Sequence, residues 1–263
     1  KLALRAWDKL QTMFAFTQAQ KDSVAYRFAL ALASKGHPQA KFWLNKVPPA
    51  QQDSKLKQWM MSNMLKEQDW AGITALFAPM NDLSNGQTYW LAYSHARRGD
   101  AGQARELWQS IAGKRDYYGF LAAGRLGLPV SLNTKSLDVP PSLLEKVSQA
   151  PGFKRAKALY EMKRYTQARR EWNYLTNTSS TAEKLAASML AVDLQWYDST
   201  IFTLAEIKAW DYVDLRFPMA YEALFTRYSK KNHIDMAWSI AVARRESSFA
   251  PDARSHANAY GLM

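Results

Sequence analysis

Glu246 is the acid whose neighbours could give it chemistry. It ends the run Ala237-Trp-Ser-Ile-Ala-Val-Ala-Arg-Arg-Glu246-Ser247-Ser-Phe249-Ala-Pro251, which is apolar on almost every side as far as Ala243. Such a run reads as a buried helix, with Asp235 as its N-cap and Pro251 as its stop. Glu246 then falls in the last turn, on one face with Val242, Ala243 and Phe249, while Arg244 and Arg245 point off that face. Apolar neighbours disfavour the carboxylate anion, and so does the partial negative charge at a helix C-terminus. A carboxyl kept neutral near neutral pH is what a general acid requires. The competing reading is a solvated glutamate at a fraying helix end.

Cleavage of a glycosidic bond usually takes two carboxylates. The acids nearest in sequence are Asp235, about three helical turns away, and Asp252, in the turn beyond Pro251. Neither is obviously placed as a partner. The four histidines, His37, His95, His233 and His256, lie far apart without ligand spacing, and three of them (His37, His233, His256) read as turn residues. With no cysteine in the chain there is no thiolate metal site, no disulfide and no Cys nucleophile, so neither a metal nor another cofactor is expected.

The elements that must hold this run are helical. Turn signals at Lys35-Gly36-His37, Lys66-Glu-Gln-Asp69 and Arg98-Gly99-Asp100 recur at roughly 32 residues, with another at Lys163-Arg164-Tyr165, a period that marks stacked αα-hairpins. One pair of units superposes at an offset of 64: Ala92, Ala104 and Trp108 match Ala156, Ala168 and Trp172. Small residues at the inner contact with a large aromatic one turn on suit close hairpin packing. Hairpins of this kind bury their apolar faces by stacking into a curved solenoid, similar to the tetratricopeptide pattern. Tyr89-Trp90-Tyr93 and Trp210-Tyr212 could stack on sugars or fill the core, and helical spacing favours the core.

Domain divisions follow from breaks in the pattern. Residues 1–127 form the superhelical array, and 128–141, with Pro129, Pro140 and Pro141, form a linker. Residues 142–217 form a second helical domain, with Thr181 as the cap of a helix. A last segment, 218–263, starts with Pro218 at the first position of a helix that sets Tyr221, Leu224, Phe225 and Tyr228 on one side. Ser229 to Asp235 reads as the turn before the Glu246 helix.

Composition narrows the partners. The 35 Lys and Arg against 23 Asp and Glu, net +12, favour an anionic partner such as nucleic acid, an anionic membrane face or an acidic cell-wall polymer. The basic residues are scattered, which argues against a nucleic-acid stripe. A solvated basic surface accounts for the charge equally well. No stretch approaches the ~20 apolar residues that cross a bilayer. Lys1-Leu-Ala-Leu-Arg5 reads as an amphipathic start, not a secretory signal.

Ala243-Arg-Arg-Glu246-Ser247-Ser-Phe249, then Pro251, Ser255 and Gly261-Leu262-Met263 resembles the first two motifs of the soluble lytic transglycosylases. Asp214-Leu-Arg-Phe-Pro218-Met-Ala-Tyr221 resembles the junction where that family's catalytic domain begins. The resemblance implies an all-α protein: a ring-forming superhelix, a helical linker domain and the opening of a lysozyme-like domain. It implies a periplasmic enzyme acting on peptidoglycan, with cell-wall synthesis proteins as further partners. Glu246 would protonate the oxygen between MurNAc and GlcNAc, then take the proton from the C6 hydroxyl of the same MurNAc. That hydroxyl closes on C1 and leaves a 1,6-anhydro ring, with the N-acetyl group assisting in place of a second carboxylate. Ser247 and Ser255 would lie along the glycan groove, and Gly261, Leu262 and Met263 beside the bond to be cut. Asn258 stands where the family tends to have Gly, and Tyr260 where it has a small residue. The family continues past the residue equivalent to Met263 into a third motif, so a molecule of this sequence alone is expected to be inactive or nearly so. Two other readings are a helical-repeat module that binds glycan or protein without chemistry, and a lysozyme-type hydrolase, against which the lack of a second carboxylate argues.

Overall fold

The computed structural model describes residues 2–263; Lys1, part of the expected amphipathic start, lies outside them. Among the described residues every regular element is a helix, and the sole β-type pairing is an isolated bridge between Arg254 and Tyr260. They form two compact units, dividing between Ser131 and Leu132.

Local chemistry sets the helices of the first unit. Thr17 with Gln20 and Ser84 with Gln87 form capping boxes, while Asp53, Asp69, Asp100 and Asp116 each accept backbone N–H groups at a helix start. The expected turns all occur, and each contains a left-handed residue: Gly36, Gln68 and Gly99 here, Lys163 in the second unit. In the hairpin of Asn85–Arg97 and Ala101–Ala112, Ala92 and Ala104 are completely buried, which lets the two helix axes approach closely.

The second unit begins with an extended segment held to Asp211, where the Lys135 N–H meets the backbone carbonyl at 2.8 Å and the Lys135 ammonium the carboxylate at 2.9 Å. Helix resumes at Pro141. Ser180, not Thr181, caps the Thr181–Asp193 helix, because its hydroxyl and the Glu183 carboxylate form a capping box. The core is built on Phe153, Trp172 and Trp196, with Tyr160 stacked on Trp196 at 4.5 Å. Ile201, on the Tyr197–Glu206 helix, lies in a further cluster with Ala220, Phe225, Ile240, Ala243 and Phe249, so residues on either side of Phe217 share a core.

Three local expectations are corrected. Pro218 is buried in a loop, and the next helix starts at Glu222 after Tyr221 in a left-handed conformation. Leu224 and Tyr228 are exposed, since this helix turns only its Phe225 and Ser229 side inward. That helix continues through Asn232, which shortens the turn to His233–Asp235.

Candidate active site

The Glu246 helix spans Met236–Ser247 and begins as expected, with the Asp235 side chain accepting the Trp238 N–H at 2.8 Å. It is not buried all round. Ser239, Ile240 and Ala243 face the core while Ala237, Trp238 and Ala241 face solvent. Glu246 is exposed as well, and among the described residues no side chain or backbone group hydrogen-bonds its carboxylate. The apolar enclosure expected around it is therefore not supplied by these residues, although Ala243 and Phe249 on the same face are buried. Arg244 does point away: its Nε donates to the Arg216 carbonyl at 2.7 Å and its guanidinium lies over the Phe217 ring at 4.0 Å. Burial, and secondarily Arg216, lowers the Arg244 pKa.

The helix stops four residues before Pro251. Ser248 and Phe249 both take left-handed conformations, φ +51° and +64°, which costs about 1–2 kcal/mol per non-glycine residue. Three contacts hold this reversal. The Ser247 hydroxyl accepts the Phe249 N–H at 3.1 Å, the Phe249 ring is 1% exposed, and the Tyr221 hydroxyl meets the Phe249 carbonyl at 3.4 Å. Two strained residues in succession, starting two positions after a candidate acid, are the kind of feature that concentrates at functional sites. Nothing in the composition of Ser-Ser-Phe announces it.

The Ser247 hydroxyl lies 2.9 Å from both the Ala243 and the Leu262 carbonyls, and its single proton can serve one of them at a time. The second contact brings Leu262 to the end of the Glu246 helix, and the Gly261 N–H donates to the Ala253 carbonyl. Ser255 is exposed and forms a tight turn, its hydroxyl accepting the Ala259 N–H at 3.0 Å. Asn258 in that turn has φ +63°, the conformation for which glycine is the usual choice. Tyr260 projects outward beneath the Arg254 guanidinium, and Met263 is exposed. Glu246, Ser247 and Leu262 are thus brought together at one helix end, with Ser255 on the adjoining turn.

The acids near Glu246 in sequence are both committed. Asp235 caps the helix at its far end. Asp252 takes both arms of the Arg169 guanidinium, one at 2.9 Å, and Arg169 Nε also donates to buried Asp198 at 2.7 Å. Arg169 therefore holds the Asp252 carboxyl below the usual carboxylate range, and the two carboxylates raise the arginine. This staple, reaching from the Tyr165–Asn177 helix to the loop after Glu246, is invisible to local sequence reading because its partners are 83 residues apart. Among the described residues no cluster of His, Asp and Glu is arranged to hold a metal ion.

Residues 146–213 match the model of the soluble lytic murein transglycosylase L domain, and residues 223–263 that of the transglycosylase SLT domain. The chain thus carries segments of two domains of the soluble lytic murein transglycosylases. The soluble lytic murein transglycosylase of Salmonella typhimurium is 30% identical over 250 residues, which are 94% of this chain and 38% of that protein. The chain thus spans well under half of that relative's length. Among solved structures, the inactive glutamate-to-glutamine mutant of the lytic transglycosylase Slt from Pseudomonas aeruginosa is 31% identical. It aligns with a TM-score of 0.82 over 99% of this chain and 43% of its own. The 70-kDa soluble lytic transglycosylase in complex with bulgecin A is 26% identical, with a TM-score of 0.81 over 94% of this chain and 40% of its own. In lytic transglycosylase terms, the Arg169 staple ties the L domain (Arg169, Asp198) to the SLT domain (Asp252).

Proposed function

We propose that this chain serves a peptidoglycan lytic transglycosylase in which Glu246 is both acid and base. The observation that carries the reading is an unengaged carboxyl at a helix C-terminus, within the matched SLT segment, while the two acids nearest to it in sequence are both already spent on structure. In this reading a glycan strand lies across Glu246 and excludes the water that now reaches it. Glu246 gives its proton to the oxygen bridging MurNAc and GlcNAc as the C1–O bond breaks. The carboxylate so formed accepts the proton of the MurNAc C6 hydroxyl, whose oxygen bonds to C1, and no water is consumed.

Gly261, Leu262, Met263 and Ser255 are assigned to the groove wall. Ser247 contributes by tying Leu262 to the acid's helix. The domain assignment that goes with this is a superhelical array in 1–127, a linker domain in 142–217 and a lysozyme-like opening from 218. The substrate places the protein in the periplasm, where cell-wall synthesis proteins would be its neighbours. An inactive glutamate-to-glutamine mutant of the Pseudomonas relative is in keeping with a mechanism resting on one glutamate.

The test is Glu246→Gln in a protein that carries this chain together with a full SLT domain. Peptidoglycan turnover should fall by roughly 10²–10⁴-fold while glycan binding is kept. The products of the unaltered enzyme should resist borohydride reduction, as anhydro ends do. Persistent lysis in the variant would place the acid elsewhere, and reducible ends would make the protein a hydrolase.

A further inference from the structure

The aromatic ladder Tyr89-Trp90-Tyr93 is divided by the fold. Tyr89 is buried in its hairpin, whereas Trp90 and Tyr93 are partly exposed and line a groove of about 270 Å³ with Trp70, Arg97 and Arg125. Tyr93 sits 5.3 Å from the Trp70 ring and edge-on to Trp90 at 5.5 Å. The Arg125 guanidinium stacks 4.9 Å from the Tyr93 centroid and donates to the Tyr89 hydroxyl at 3.3 Å. Arg97 lies 5.7 Å from the Trp70 ring.

No acidic side chain lines this groove, and among the described residues neither arginine is in an ion pair. Stacking on aromatic rings fixes guanidinium forks in advance, so less freedom is lost when an anion arrives. The unit that contains them is itself basic, with 17 Lys and Arg against 9 Asp and Glu up to Ser131.

Hairpin packing does not require these aromatics. At the offset of 64 the places of Trp90 and Tyr93 are taken by Lys154 and Lys157, both exposed, in a hairpin with the same buried alanines. Tyr89, by contrast, is matched by buried Phe153.

We propose that this groove is a second, non-catalytic binding site for a carboxylate-bearing sugar. The apolar face of a pyranose ring suits Trp90 and Trp70, and its carboxylate accepts from the arginine forks. A neutral sugar leaves both guanidinium groups unanswered, and a small inorganic anion leaves the indoles unused. The choice of sugar rests on the peptidoglycan reading: N-acetylmuramic acid without its stem peptide carries a free lactyl carboxylate that N-acetylglucosamine lacks.

The experiment titrates the ¹⁵N-labelled chain with each of these two sugars and follows the tryptophan indole signals. N-acetylmuramic acid should shift the Trp70 and Trp90 signals, and N-acetylglucosamine should bind at least about tenfold more weakly, the loss of a charge-assisted hydrogen bond. The R97Q/R125Q variant should weaken N-acetylmuramic acid by a similar factor. Trp90→Lys, which copies the equivalent position of the other hairpin, should do the same and serves if the double variant does not fold. The readout is the Trp70 and Trp90 indole signals themselves, which lie outside the 223–263 segment that carries Glu246, and this separates the site from the catalytic reading. Equal affinity for the two sugars, or unchanged affinity in the arginine variant and in Trp90→Lys, would overturn the proposal. Tighter binding of a tetraglutamate peptide than of either sugar would overturn it too, and mark the groove as a peptide surface.

Discussion

The hairpin of Asn85–Ala112 and that of Pro151–Asn177 are two castings of one pattern with different outer faces. Their turns match hydrogen bond for hydrogen bond: Gly99 N–H to the Ala96 carbonyl and Asp100 N–H to His95, against Lys163 to Tyr160 and Arg164 to Leu159. Their inner faces match as well, with Ala92 and Ala104, Ala156 and Ala168 all completely buried. The outward residues diverge. The first hairpin shows Trp90 and Tyr93 where the second shows lysines, and it has exposed Arg105 where the second has Arg169, the residue that clamps Asp252. Packing fixes the repeat, and the positions that packing leaves free are where each copy acquires a use.

The matched tryptophans should give the largest contrast. Trp172 is buried between Phe153 and Trp196, and its indole N–H donates to Thr203 at 2.9 Å. Trp108 is partly buried, and its indole nitrogen has no hydrogen-bond partner. Trp172→Ala should cost about 3–5 kcal/mol in urea unfolding of its unit. Trp108→Ala should cost clearly less, because it removes no hydrogen bond and less buried surface. Equal losses would mean that the two hairpins are supported alike.

Next comes the staple. Arg169→Met leaves buried Asp198 without its cation and should cost about 2–4 kcal/mol, near the range for a broken buried pair and reduced because the arginine is partly exposed. Asp252→Asn keeps that pair and should cost less. Its clearer signature is faster amide exchange at Ala253 and Gly261, in the loop beside Glu246. The sign of the pH dependence follows from the lowered Asp252 pKa. Its contribution is complete above the ordinary aspartate value of about 3.9 and fades as the pH falls through the depressed one. Loop protection should therefore be flat from neutral pH to about 4 and drop only below it. The same drop in Asp252→Asn would assign it to another group.

How much of this was legible in the sequence depends on the reach of each interaction. The helices, the four turns and the Asp235 cap rest on residues within a turn of one another, so spacing discloses them. Gly99 before Asp100 is such a signal. Ser-Ser-Phe after Glu246 is not, because its double left-handed turn is enforced by Tyr221 and by burial of Phe249 against Tyr197, partners brought in by the fold. Glu246 itself was legible as a motif residue. Its exposure was not, since the apolar run from Ala237 suggested a helix buried on all sides while the fold covers one side of it. The Arg169 staple gave no local sign at all.

The turns allow a smaller test in the stabilising direction. Gly99 and Asp100 suit their places, the glycine at φ +88° and the aspartate accepting the Gln103 N–H at 3.1 Å. In the second hairpin Lys163 takes φ +59° and Arg164 makes no side-chain cap. Lys163→Gly with Arg164→Asp should raise stability by roughly 1–2 kcal/mol, strain relieved by the first change and a cap supplied by the second. No gain would show that the two turns, alike in backbone, differ in what surrounds them.

The smallest expected effect is the most telling for the comparison. Trp90→Lys with Tyr93→Lys gives the first hairpin the outer face of the second. If those rings belonged to the core, the double variant should lose several kcal/mol, as large-to-small changes in a core do. If they are a groove laid over a hairpin that packs without them, the loss should be about 1 kcal/mol or less. The two added lysines beside Arg97 and Arg125 set that small residual cost by like-charge repulsion, so raising the salt concentration should recover part of it. A large loss that salt does not touch would return Trp90 and Tyr93 to the core and leave the two hairpins different on the inside as well.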